Sequence, residues 1–132
     1  MKVTADTNVL ARVLTGDDAR QSAIAEAELA QADVIALALP ALCELVWILS
    51  RGYRIPQVEI AEAIRQLMSG ANVVANRPGI EAGLAVLDAG GDFADGAIAY
   101  EGRWLGAETF LSFDRTAVKL VKGQGGDARP LS

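Results

Sequence analysis

Lys2-Val3-Thr4-Ala5-Asp6-Thr7-Asn8-Val9-Leu10 carries the first decision about the fold. Lys2 to Ala5 is a short β-prone run. Asp6-Thr7-Asn8 then offers N-cap chemistry, because a short side-chain oxygen can accept the first unpaired backbone N–H groups of a helix. Val9, Leu10, Val13 and Leu14 follow at helical spacing, and Gly16 ends the run. The stretch therefore reads as a strand that delivers an acid onto a helix start. In an open parallel sheet, ligands bind just beyond the carboxyl ends of the strands.

Working outward, the same alternation recurs. Asp17-Asp18 starts an Ala-rich helix that runs to about Ala32, with Ile24 and Leu29 expected on its inner face. Val34 to Leu39 reads as a buried strand between Asp33 and Pro40. Pro40 suits the first turn of a helix, where its missing N–H costs nothing. That helix runs to Arg51 and stops at Gly52. Pro56 opens the next, to Met68. Asn72 to Ala75 is a third strand, and Pro78 opens a helix to about Leu87. Asp92 or Phe93 opens another, to about Tyr100. Thr109 to Phe113 is a fourth strand, followed by Asp114. Arg115 to Val121 is a short helix, and Ala128 to Leu131 a final short strand. Strands alternating with helices predict an α/β fold with a parallel four- to five-stranded sheet flanked by helices on both faces. A chain of 132 residues hides roughly two thirds of its unfolded surface, enough for one core, so one domain over 1–132 is expected.

Composition narrows the chemistry. The chain is 52% apolar, which does not fit disorder. No apolar run approaches the ~18 residues of a membrane helix. Met1-Lys2 is followed by no signal-like apolar segment, so no secretion signal is expected. There is no histidine, which removes His-based acid/base catalysis and His-ligated metals. The single cysteine, Cys43, allows no intrachain disulfide and no Cys cluster. One thiol among apolar residues reads as a small core side chain and fits a reducing, cytoplasmic setting. The formal charge of −5 does not suit a protein that coats nucleic acid. Divalent cations on a carboxylate cluster would reverse that locally and attract phosphate.

The acids are the remaining source of chemistry. Asp6 follows the first strand and Asp114 the fourth. Glu44 lies on the first turns after the second strand. Asp92 and Asp95 follow the Gly90-Gly91 break. All fall on one predicted edge of the sheet. Such a cluster repels itself unless protonated or bound to a cation. Oxygen-only donors point to Mg²⁺ or Mn²⁺. Each acid also has a structural reading. Asp6, Asp92 and Asp114 can cap helices, Asp95 can favour a helix dipole, and Glu44 can pair with Arg51 or sit on a rim. Arg12, Arg51 and Arg115 can steer phosphate or be ordinary helix-face charges. Trp47 reads as core or interface more readily than as a base-stacking residue. Tyr100 and Trp104, at i and i+4, read as core or dimer contact.

Four segments together resemble a family. Val3-Thr4-Ala5-Asp6-Thr7-Asn8-Val9-Leu10 resembles the opening of PIN-domain nucleases. Pro40-Ala41-Leu42-Cys43-Glu44-Leu45-Val46-Trp47-Ile48-Leu49 is similar to the family's second acidic helix. Asp92-Phe93-Ala94-Asp95-Gly96-Ala97-Ile98-Ala99 is similar to its third. Thr109-Phe110-Leu111-Ser112-Phe113-Asp114-Arg115 is similar to its strand-then-Asp ending. Size, order and spacing resemble VapC-type toxins of bacterial toxin–antitoxin pairs, over almost the whole chain.

The resemblance implies a PIN domain over 1–132 and a Mg²⁺- or Mn²⁺-dependent endoribonuclease. Asp6, Glu44, Asp95 and Asp114 would form the catalytic, metal-holding quartet. Asp92, Asn8 and Ser112 would be auxiliary, and Arg12, Arg51 and Arg115 would meet the substrate. The implied partners are an RNA substrate, a VapB-like antitoxin and a second copy of the chain, with no membrane. Ser112 stands where the family commonly has Thr, and Gly96 where it commonly has Ala. An alternative is an inactive PIN scaffold that only binds protein or RNA. Receiver and dehalogenase-like phosphotransfer domains fit less well. The first wants an Asp where Asn76 stands, and the second wants one where Asn8 stands.

Overall fold

A computed structural model describes residues 1–132. In chain order it comprises β1 (Lys2–Thr4), α1 (Thr7–Thr15), α2 (Ala19–Gln31), β2 (Val34–Leu37), α3 (Leu39–Trp47), a π-helical turn (Ile48–Gly52), α4 (Gln57–Met68), β3 (Val73–Ala75), α5 (Arg77–Asp88), α6 (Phe93–Trp104), β4 (Thr109–Ser112), α7 (Arg115–Gly123) and β5 (Asp127–Pro130). The chain is of the α/β class, and the order of elements is the one read from the sequence. By backbone proximity it divides into two compact units, Met1–Asn76 and Arg77–Ser132.

In Met1–Asn76, β1, β2 and β3 form a parallel sheet in that order. Val3 faces Ile35 in the β1–β2 ladder, and Ile35 faces Val73 in the β2–β3 ladder. Leu10, Leu42, Leu45, Leu49, Ile60 and Ile64 fill the core. Each such side chain contributes roughly 1.5–3 kcal/mol on full burial. Gly16 ends α1 with a φ of 63°. That left-handed conformation is strained for a residue with a Cβ, which is why the helix stops at this glycine. Asp18 caps α2 by accepting from the Gln21 backbone N–H.

The inner face of α2 is only partly the one expected, since Leu29 is half-buried on it but Ile24 is not. Ile24 is 54% exposed, and Ser22 and Ala25 are buried instead. The Ser22 hydroxyl donates to the Arg12 carbonyl, which takes a polar residue into the contact with α1. Small residues at that face allow close approach, so residue size rather than hydrophobicity chose the orientation. The helix after Pro40 also differs. It is α-helical only to Trp47 and then widens into the π turn, where the Tyr53 N–H donates to the Ile48 carbonyl at 3.2 Å.

In Arg77–Ser132, β4 and β5 form a two-stranded parallel sheet with Thr109 facing Asp127 and Ser112 facing Pro130. Ile80, Leu84, Val86, Leu87 and Phe93 are buried where α5 meets α6. Ala99, Val118, Val121 and Ala128 form a second cluster, with Phe110 packed against it. The α5–α6 contact depends on two glycines. A Cβ on Gly83 would lie 2.6 Å from the Phe93 ring, and one on Gly96 would collide with the Ala82 carbonyl oxygen.

The strands thus fall into two sheets of three and two rather than one sheet of four or five. Strand propensity is a local property that sequence displays. Ladder pairing is non-local, and strands of three or four residues leave little pattern from which to read it. No helix is long and apolar enough to cross a membrane.

Candidate functional site

In Met1–Asn76, β1 ends at Thr4 and the chain turns at once into α1. Asp6 caps that helix: its Oδ1 accepts from the Val9 N–H at 3.0 Å. The structural reading of Asp6 is therefore realised, but it uses one carboxylate oxygen. Oδ2 carries no hydrogen bond and the residue is exposed. Thr7 is buried, and its hydroxyl reaches Glu44 Oε2 at 3.2 Å and the Ala41 carbonyl at 3.4 Å. Glu44 is an exposed rim residue oriented by Thr7 rather than paired with Arg51. Asp6, Thr7, Asn8, Pro40, Glu44 and Ile48 help line an open cleft of about 510 Å³. The sequence reading counted Thr7 only as part of a cap. Its place directly after Asp6 is the signal that could have singled it out.

In Arg77–Ser132, two acids again cap helices. Asp92 Oδ1 accepts from the Ala94 N–H at 3.2 Å, at the start of α6. Asp114 Oδ1 accepts from the Thr116 N–H at 2.9 Å and the Ala117 N–H at 3.2 Å, at the start of α7. Ser112 Oγ accepts from the Asp114 N–H at 3.0 Å and so holds the turn that presents this acid. Asp95 lies in the first turn of α6 and is half-buried. Burial, then the negative charges of Asp92 and Asp114, hold its carboxyl above the ordinary value of 3.8. Desolvation and like charges both disfavour the ionised form, and a cation would relieve both. The charges of Asp92 and Asp114 thus both act on Asp95.

The three arginines differ. Arg12 is engaged: Nε donates to Gln21 Oε1 at 2.6 Å, and its guanidinium lies 3.1 Å from Asp17. It also reaches the Tyr53 hydroxyl at 3.4 Å, and Tyr53 in turn donates to Asp17. Arg51 and Arg115 are exposed. The role of Tyr53, illegible in the sequence, is to fasten the segment after the π turn onto the α1–α2 loop.

No group of three or more acids stands assembled to hold an ion. The donor chemistry nonetheless suits a hard divalent cation, because the acids offer carboxylate oxygens and the chain has no His. Mg²⁺ commonly takes only one or two carboxylates and keeps several waters, so a closed cage of protein ligands is not required. The chain matches no protein-family model, and no curated protein matches it. Fold and site together define an α/β protein with acids at strand ends and helix starts in each of its units.

Proposed function

We propose that this chain is a divalent-metal-dependent endoribonuclease with a PIN-like domain, the toxin of a toxin–antitoxin pair. The observation that supports the reading is the half-buried Asp95 in the first turn of α6, whose carboxyl is held up by burial first and then by the charges of Asp92 and Asp114. Crowded carboxylates are poor structural stabilisers and good cation ligands. Asp6 and Glu44 in Met1–Asn76, and Asp95 and Asp114 in Arg77–Ser132, are the carboxylates proposed to serve the cation or its waters, and Mg²⁺ or Mn²⁺ is the proposed cofactor. Such an ion supplies a water of lowered pKa and stabilises charge on a phosphoryl group. The chain's own side chains position it. Thr7 aims Glu44, Ser112 supports Asp114, and the exposed Arg51 and Arg115 attract the RNA backbone. A VapB-like antitoxin and a second copy of the chain are the proposed protein partners, and the cytoplasm the proposed setting.

Incubation of RNA with the purified chain, freed of any antitoxin, in Mg²⁺ or Mn²⁺ and in EDTA tests this. Discrete fragments that require metal are expected. No cleavage, together with no Mn²⁺-induced rise in Tm, contradicts the reading and leaves a binding scaffold.

A further inference from the structure

In a chain of formal charge −5, α7 carries charge of one sign only. Arg115, Lys119 and Lys122 are its charged residues, and all three are exposed. With 3.6 residues to a turn they fall within about 60° of one another, a single stripe along the outer side of the helix. Ala117, Val118 and Val121 are buried on the other side. Every other helix with more than one charged residue includes an acid, namely α2, α4, α5 and α6. Helix stability does not explain the stripe. Arg115 directly follows the cap residue Asp114, at the positive end of the helix dipole, where a cation is disfavoured. Arg115 and Lys119 are four residues apart and Lys119 and Lys122 three, so like charges repel along the helix. Only Lys122, in the last turn, gains from the dipole. None of the three forms an ion pair with a carboxylate. The stripe also has a fixed origin. Asp114 caps α7, is supported by Ser112, and lies close enough to Asp95 for its charge to act there. The cations thus lead from the acids of Arg77–Ser132 along α7 for about 10 Å.

We infer that the outer face of α7 is a phosphodiester track, on which Arg115, Lys119 and Lys122 hold the RNA backbone to one side of the acids. The inference rests on the ribonuclease reading and adds the surface that takes the flank of the strand. A phosphate approaching Asp95 and Asp114 meets negative charge, so a cationic surface beside them offsets that repulsion and draws the strand in. Lys and Arg neutralise phosphates and release condensed counterions, which positions a strand without reading its bases. An acidic protein segment is the competing occupant. A nucleic-acid strand carries a charge on every unit and so suits three cations in line, whereas a peptide needs a run of acids to do the same.

Fluorescence anisotropy of a short labelled oligouridylate, titrated with the full chain in EDTA over a series of KCl concentrations, tests the track apart from any metal-dependent cleavage. For a single strand, log Kobs falls with log salt by about 0.7 per phosphate neutralised. The double variant Lys119→Gln/Lys122→Gln is expected to make that slope shallower by about 1.4, and Lys119→Gln alone by about 0.7. Lys119→Arg/Lys122→Arg keeps the charges and should keep the wild-type slope. Lys2→Gln/Arg20→Gln removes the same charge from exposed residues of Met1–Asn76 and should also leave it unchanged. Relief of like-charge repulsion predicts an unchanged or raised Tm for the Lys119→Gln/Lys122→Gln chain, which shows that it is folded. In cleavage, that variant should raise KM about tenfold with kcat unchanged. A wild-type slope and KM in it, with cleavage still metal-dependent, overturns the inference and leaves the nuclease reading standing. The expected loss of slope without cleavage in Mg²⁺ or Mn²⁺ supports the track and removes the nuclease reading. No binding by wild type at the lowest salt overturns the inference. Polyglutamate that binds as tightly, with the same loss in the variant, overturns it too and assigns the face to an acidic peptide.

Discussion

Thr7 Oγ1 donates to Glu44 Oε2 at 3.2 Å, tying the start of α1 to α3 beside the cleft. Thr7 is buried and Glu44 is exposed, so the bond orients a solvent-facing acid from a fixed base. Thr7→Val keeps the shape and removes the donor. It is expected to lower stability by about 1 kcal/mol. Cleavage is expected to fall about tenfold through kcat, because a positioned group loses its aim. Thr7→Ser should restore it. Steady-state kinetics with a defined RNA measures both.

Asp95 should be a stability liability without metal. Its carboxyl is held above its unfolded value of 3.8 by burial, Asp92 and Asp114. A raised acid contributes stability that is fully present below the unfolded value. That contribution is lost as pH rises through the folded value. At neutral pH the ionised group therefore opposes folding. Asp95→Asn is expected to raise the Tm of the metal-free chain at pH 7 while abolishing cleavage. Calorimetric scans at pH 4 and pH 7 should show the gain growing with pH.

Asp17 behaves in the opposite sense. The Tyr53 hydrogen bond, outweighing some desolvation and assisted by Thr15 and Arg12, holds its carboxyl below 3.8. A depressed acid contributes stability above its unfolded value and loses it as pH falls through the folded one. Tyr53→Phe should raise the Asp17 pKa, and an NMR titration of the Asp17 carboxyl would read the change directly. An unchanged midpoint would remove Tyr53 as the cause.

Gly96 stands directly after Asp95, and a Cβ there meets the Ala82 backbone. Gly96→Ala should cost about 1–3 kcal/mol through overpacking, despite the better helix propensity of Ala. Thermal unfolding of the variant tests this. An unchanged or raised Tm would mean that α5 and α6 separate freely.

Sequence alone showed the alternation of elements, because strand-like runs and Gly, Pro and Asp punctuation are local signals. It placed Asp6, Asp92 and Asp114 at helix starts, where each accepts a backbone N–H. Ladder pairing was less legible, since β1 and β4 carry little that specifies a neighbour. Ile24 was misplaced because a contact through Ser22 and Ala25 is invisible to hydrophobic periodicity. The exposure of Trp47 was hidden for a related reason. An apolar helix such as α3 displays no polar face from which to tell outside from inside. The Arg12–Asp17–Tyr53 cluster joins residues distant in sequence through side-chain geometry alone.

The most direct test of the account cuts one defined RNA in Mn²⁺ with wild type, Asp6→Asn and Asp95→Asn side by side, one acid from each unit. The account predicts that both folded variants lose cleavage by at least about a hundredfold, as expected when a group that aims the reactive water or its ion is removed. A folded variant of either kind that cuts at the wild-type rate would contradict it.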